Sequence, residues 1–257
     1  MTDRPAKPTI AHIREISQPA SVTGRSNAEH WVADLYLRKI SPYLTRILLK
    51  TPITANGVTY LMIVTGISIS AALLIPGYQG ILLALFLSQL QMLWDCCDGE
   101  IARWRSTQSP KGVFLDKVGH YLTESLIPIA FALRLAGWPE NEISDWKLPF
   151  LGALISILIL LNKGFNDMVH VSRAFAGLPK LSDSHESRAA VKSWLRIIKA
   201  PFKILAVQRL FHSVEMTIVI AILDNNKGLI TYGVYVALFV TAGHLVSILG
   251  SRKLDRG

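Results

Sequence analysis

Asp95 and Asp98 stand three residues apart, and Gly99 and Ala102 continue the same stripe if the segment is helical. Arg103 closes that stretch with a guanidinium whose fork matches a phosphate. After eight intervening residues come Gly112, Asp116 and His120, spaced by four and again on one helical face. If the two helices pack side by side, three carboxylates and an imidazole converge. Converging carboxylates repel one another unless a cation lies among them. Hard oxygen donors beside a phosphate-matching arginine favour Mg2+ or Mn2+. A pair of such ions clamps a diphosphate and stabilises charge on its leaving group. The competing reading is a set of helix caps and interfacial salt bridges, but carboxylates at membrane segments are functional by default.

The elements that must carry these residues are helices in a bilayer. The chain is 51% hydrophobic, with a mean hydropathy of +0.36, and its apolar runs approach the roughly 20 residues a crossing needs. Six spanning helices are predicted near 53–75, 80–104, 112–136, 148–171, 206–223 and 229–249. Pro76-Gly77, Gly137 to Pro139 and Asp224 to Gly228 supply turns. The second apolar run is short for a crossing, so its helix is expected to continue through Asp95–Arg103. The predicted fold class is an all-α integral membrane protein with six transmembrane helices preceded by an interfacial amphipathic helix. Its parts are a flexible N-terminal arm (1–26), a juxtamembrane amphipathic helix (27–50), a six-helix membrane domain (51–250) and a cytoplasmic tail (251–257). In the amphipathic helix, Trp31, Leu35, Leu37, Ile40, Leu44 and Leu48 recur at helical spacing with Arg38, Lys39, Arg46 and Lys50 between them.

The net charge of +9 falls mainly on segments 1–50, 104–112, 172–205 and 250–257. With both termini inside, this satisfies the positive-inside rule and puts Asp95–His120 at the cytoplasmic membrane surface. Basic charge on a membrane protein reads as lipid contact rather than nucleic-acid binding. The first residues lack the apolar core of a signal peptide, so the spanning helices direct insertion. Cys96 and Cys97 are adjacent and read as reduced packing residues.

The stretch "DCCDGEIARWRSTQSPKGVFLDKVGH" closely resembles the signature of the CDP-alcohol phosphotransferase family, D-x-x-D-G-x-x-A-R, eight residues, then G-x-x-x-D-x-x-x-D. Asp95, Asp98, Gly99, Ala102, Arg103, Gly112 and Asp116 match, and His120 stands where the family has its last aspartate. The six-helix plan agrees with the family over roughly residues 50–250. The resemblance implies an attack by an acceptor alcohol on the β-phosphorus of a CDP-alcohol, with CMP leaving. It implies that Asp95, Asp98 and Asp116 ligate the divalent ions, with His120 at the place of a further ligand. It also implies that Gly99, Ala102 and Gly112 line the CDP moiety, with Arg103 near its phosphates. A homodimer follows from the same resemblance. The family's last aspartate is also its proposed general base. A neutral imidazole accepts a proton near neutrality and binds metals. Three readings therefore stand: His120 is the base, Glu124 one turn on is the base, or transfer activity is lost and nucleotide binding kept.

On the acceptor side, Lys163, Asp167 and His170 share a face in the fourth helix, and a lysine there calls for a polar cavity or a headgroup. Lys163, Arg173 and Arg209 are the candidates for an acceptor phosphate. Arg209, His212 and Glu215 form a further polar stripe, while His244 reads as packing. Thr54 or Thr51 caps the first spanning helix, "TPITANGVT" resembles a family element that offers Asn56 to the nucleotide, and 188–203 reads as a basic interfacial helix. The sequence thus predicts a metal-dependent transferase that moves a phosphoalcohol, such as the phosphatidyl group of CDP-diacylglycerol, to a small alcohol or phosphorylated polyol at a membrane. The rival is a catalytically impaired nucleotide-binding membrane protein with a structural or partner role. A transporter fits less well, because its charges belong at the midplane.

Overall fold

The computed structural model describes residues 8–19, 32–178, 211–251 and 254. Among them every long element is a helix. In chain order these are α1 (Ile10–Ser17), a π-helical turn (Ala33–Leu37), α2 (Arg38–Leu48), α3 (Ala55–Leu73), α4 (Gly77–Arg105), α5 (Pro110–Leu135), α6 (Lys147–Phe175), α7 (Ser213–Ile222) and α8 (Gly228–Leu249). Trp31, Arg209, the segment 188–203 and the start of the fifth predicted span lie outside the described residues.

Among the described residues four helices, α3, α4, α6 and α8, are long and apolar enough to cross a membrane. Helix α5 has 26 residues but is interrupted by Asp116, Lys117 and Glu124. The described part of α7 has 10 residues and is short for a crossing. Exposed side chains on the four long helices include Val64, Phe86, Ile157 and Val246, the apolar exterior that lipid requires.

Local chemistry explains the helix ends. Thr54 Oγ1 accepts the amide of Gly57 at 3.0 Å and so caps α3. Thr51 instead donates to the Leu48 carbonyl at 2.7 Å. Ser109 Oγ accepts the amide of Gly112 at 3.1 Å, with Pro110 at the first helical position of α5. Helix α4 stops at Ser106, whose φ of 53° lets Thr107 N reach the Ala102 carbonyl at 2.9 Å. The turn from α4 to α5 is therefore short, and it folds one half of the acidic signature back toward the other.

Two compact units divide the chain. One runs to Ile69 and resumes over Ala84–Thr123; the other takes Ser70–Leu83 and continues from Glu124. In the first unit, α3 and α5 approach closely where Gly66 faces Thr123, since a Cβ on Gly66 would lie 1.9 Å from Thr123 Oγ1. Ala55, Val58, Cys97 and Ile101 form a buried cluster against which Leu44 and Leu48 pack. Both cysteines are buried free thiols. The apolar face expected on 27–50 is thus divided: Leu37, Leu44 and Leu48 turn inward, while Ile40, Tyr43 and Ile47 form an exposed stripe. Helix α1, inside the stretch read as an arm, buries Ile13 and Ser17 completely.

In the second unit α8 packs along α6. Pro128 inside α5 removes an amide from the helical ladder. Ser156 of α6 donates to the Ser125 carbonyl at 2.5 Å, and Gly152 lets α6 come that close. Arg134 joins Asp224 at 3.2 Å and also donates to the carbonyls of Leu73, Ile75 and Gly77 at 2.8 to 3.2 Å.

Candidate functional site

Asp95, Asp98, Gly99, Ala102 and Arg103 lie along the last turns of α4, and Gly112 and Asp116 along the first turns of α5. All seven line one cavity of about 450 Å³ in the first unit. Arg38 of α2, Asn56 and Thr59 of α3, and Thr107 to Ser109 of the connecting turn complete its wall. The two half-signatures, eight residues apart in sequence, are thus one surface because capped helix ends flank a short turn.

The acidic side of the cavity is organised by specific partners. Thr59 Oγ1 donates to Asp98 Oδ2 at 2.7 Å. His120 Nε2 lies 3.2 Å from Asp95 Oδ1 and 3.5 Å from Asp116 Oδ1. Ligand atoms of Asp95, Asp116 and His120 all fall within 4.8 Å of one another. A hard divalent cation binds donors at about 2.0–2.6 Å, so two oxygens and one nitrogen at this spacing fit around one ion. His120 is not part of the cavity lining.

The basic side is built differently. Arg103 Nε donates to the Ser17 carbonyl at 2.5 Å. Its terminal nitrogens lie over Gly99, where a Cβ would come within 3.0 Å of Nη1. A side chain at Gly99 would therefore displace the guanidinium. A Cβ on Gly112 would meet Asn56 Oδ1 at 3.2 Å, so this glycine keeps room beside Asn56.

Within the first half-signature lies a residue that sequence reasoning passed over. Glu100 is fully buried. Gln18 Nε2 at 2.8 Å, Ser41 Oγ at 2.5 Å and Thr45 Oγ1 at 2.6 Å all donate to its carboxylate. Three donors offset the large cost of burying that charge. The bonds fasten α2, and Gln18 at the end of α1, to α4. Arg38 was read only as a basic residue of an interfacial helix. Its signal in the sequence was its register with Ser41 and Thr45, at i, i+3 and i+7.

The other predicted residues group in the second unit. Glu124, nearly buried, pairs with Lys163 Nζ at 2.7 Å and with His212 Nδ1 at 3.1 Å. Lys163 is therefore engaged by a carboxylate. Arg173 is half-buried in the last turn of α6, and His170 is exposed. His244 bonds to Asn162 and meets the Phe165 ring edge-on at 6.2 Å, in keeping with a packing role.

Residues 52–163 match the family model for CDP-alcohol phosphatidyltransferase. Comparison with curated proteins returns no match.

Proposed function

For a chain that carries a CDP-alcohol phosphatidyltransferase domain at residues 52–163, we propose phosphatidyl transfer from CDP-diacylglycerol to a small or phosphorylated alcohol, with release of CMP. The observation that carries the reading is the single cavity of about 450 Å³ on which all seven intact signature residues meet. It holds carboxylates for a cation on one wall and guanidinium groups for a diphosphate on another.

In this reading the donor's CDP lies over Gly99, Ala102 and Gly112, with Arg103 on its phosphates. Asp95, Asp98 and Asp116 hold Mg2+ or Mn2+, with His120 Nε2 within reach of the same position. When bound there, a divalent cation would supply Lewis-acid charge to the departing CMP. His120 acts as the base. In this reading Nε2 carries the proton and donates it to Asp95, 3.2 Å away, so Nδ1 is assigned the basic lone pair. The acceptor hydroxyl gives its proton to Nδ1 while its oxygen bonds to the β-phosphorus. The bond from that phosphorus to the bridging oxygen breaks, and the electron pair leaves with CMP. In-line displacement puts the acceptor opposite the leaving group, which suits a base outside the donor cavity's lining. Glu124 suits the role less, because Lys163 and His212 already occupy its carboxylate.

The chain spans the membrane six times in this reading, with α5 and α7 in the two further spans. The exposed stripe Ile40, Tyr43 and Ile47 lies in the interface, the site and both termini face the cytoplasm, and the protein is a homodimer. The test is CMP release from CDP-diacylglycerol by purified protein with Mg2+ or Mn2+ over a panel of alcohols and phosphorylated polyols. Release is expected for at least one acceptor and none from Asp98→Asn. No release from the wild-type chain across the panel favours the catalytically impaired alternative.

A further inference from the structure

We infer that Arg38, which lies outside the family-matched segment, is a second cation for the donor's diphosphate, and that α1 and Gln18 lock it in place. The inference rests on the reading of the cavity as a CDP site.

Arg38 and Arg103 both line the cavity, and the two like charges act on one another. The buried Glu100 carboxylate acts on both and offsets part of their repulsion, and both guanidinium groups still border the space a polyanion would enter. A diphosphate has two phosphoryl groups, one for each fork. Arg38 Nη1 forms a long ion pair with Oε1 of the buried Glu100, at 4.0 Å. Glu100 already accepts from Gln18, Ser41 and Thr45 at 2.5 to 2.8 Å. Its main task is to hold α2, and Arg38 follows from that.

The lock is specific to this residue. Arg38, Ser41 and Thr45 share one face of α2, so the bonds that the last two donate to Glu100 set the facing of the first. Gln18 Nε2 bonds to the Arg38 carbonyl at 2.8 Å, and Arg14 Nη2 bonds to the next carbonyl, Lys39, at 3.2 Å. Ser17, next to Gln18, accepts from Arg103. One short segment at the end of α1 therefore fixes both cavity arginines.

The test compares binding of CDP and of CMP to the full-length protein in detergent with Mg2+ present. The wild-type chain is expected to bind CDP more tightly than CMP. Arg38→Met keeps the aliphatic stem and removes the charge. It is expected to weaken CDP about tenfold and CMP less than about threefold, because only CDP carries the second phosphoryl group. If Arg38→Met does not fold, Arg38→Lys loses the fork alone and is expected to lower the CDP-over-CMP preference about threefold. A folded variant that keeps the wild-type preference, or loses both ligands in proportion, overturns the inference while leaving the CDP site standing. A wild-type chain that binds neither ligand overturns the CDP-site reading, and the inference with it.

Discussion

His120 Nε2 rests 3.2 Å from Asp95 Oδ1, with Asp116 Oδ1 at 3.5 Å. One nitrogen cannot both donate a proton to Asp95 and ligate a cation, so the two roles open to this histidine exclude each other at any instant. The base reading keeps Nε2 on Asp95 and works through Nδ1. His120→Ala is then expected to lower turnover by about 10²–10⁴, the range for a lost general base. Glu124→Gln is expected to cost far less turnover and to act mainly on stability, through Lys163 and His212. His120→Asp, which puts a carboxylate back at the signature's last position, should retain measurable transfer. The steady-state rates of the three variants check this, and a larger loss from Glu124→Gln than from His120→Ala would contradict it.

The proposed function calls for a divalent cation at the carboxylate wall. Chelation is expected to stop turnover reversibly, and Asp116→Asn should raise the Mn2+ concentration needed for half-maximal rate by about 10-fold or more, as loss of a charged ligand does. A titration of rate against free Mn2+ decides it. Full activity in chelator, or an unchanged midpoint in Asp116→Asn, would count against a cation in this site.

Close approach of α3 to α5 depends on Gly66. A Cβ there would sit 1.9 Å from Thr123 Oγ1 and 3.0 Å from its Cβ, and a β-branched side chain has little freedom to yield. Gly66→Ala is expected to destabilise the protein by about 1–3 kcal/mol. Thr123→Ala in the same chain should restore most of that loss. Thermal unfolding in detergent measures both; an undiminished Tm in Gly66→Ala would show that the helices do not meet here.

Arg134 serves two purposes at once, pairing with Asp224 and satisfying the carbonyls at Leu73, Ile75 and Gly77. Removing it leaves a poorly solvated carboxylate and open helix-end acceptors. Arg134→Ala is expected to cost about 3–5 kcal/mol of stability. The double change Arg134→Met with Asp224→Leu should cost less than the single one. Denaturant or thermal unfolding of the set tests this, and equal losses would argue that the pair is not what holds the segment.

What the sequence made legible was periodic and local. Asp95 to Asp116 could be placed on two helical faces because small residues and carboxylates recur at helical spacing. Helix bounds for α3, α6 and α8 came close for the same reason. The structure departs from the sequence reading where partners are distant in the chain. Glu100 occupies a variable position of the signature, and its donors lie 55, 59 and 82 residues away. Nothing local distinguishes it from an exposed glutamate. Arg38 looked like any interfacial cation, because the apolar stripe on that segment was read as a single face. Lys163 and Glu124 could each be singled out as polar groups in apolar helices, but their pairing has no period to betray it. The helical nature of Ile10–Ser17 was hidden in a polar, proline-flanked stretch whose helix is fastened by Gln18 and Ser17 to residues far along the chain.

The central claim is that this cavity moves a phosphatidyl group from a CDP-linked donor to an alcohol. The most direct measurement supplies CDP-diacylglycerol and Mn2+ with a panel of acceptors and quantifies CMP and new phosphodiester lipid together. The account predicts equimolar CMP and lipid product with at least one acceptor, and neither product from Asp98→Asn. CMP formed without a lipid phosphodiester, or no CMP with any acceptor, would contradict it.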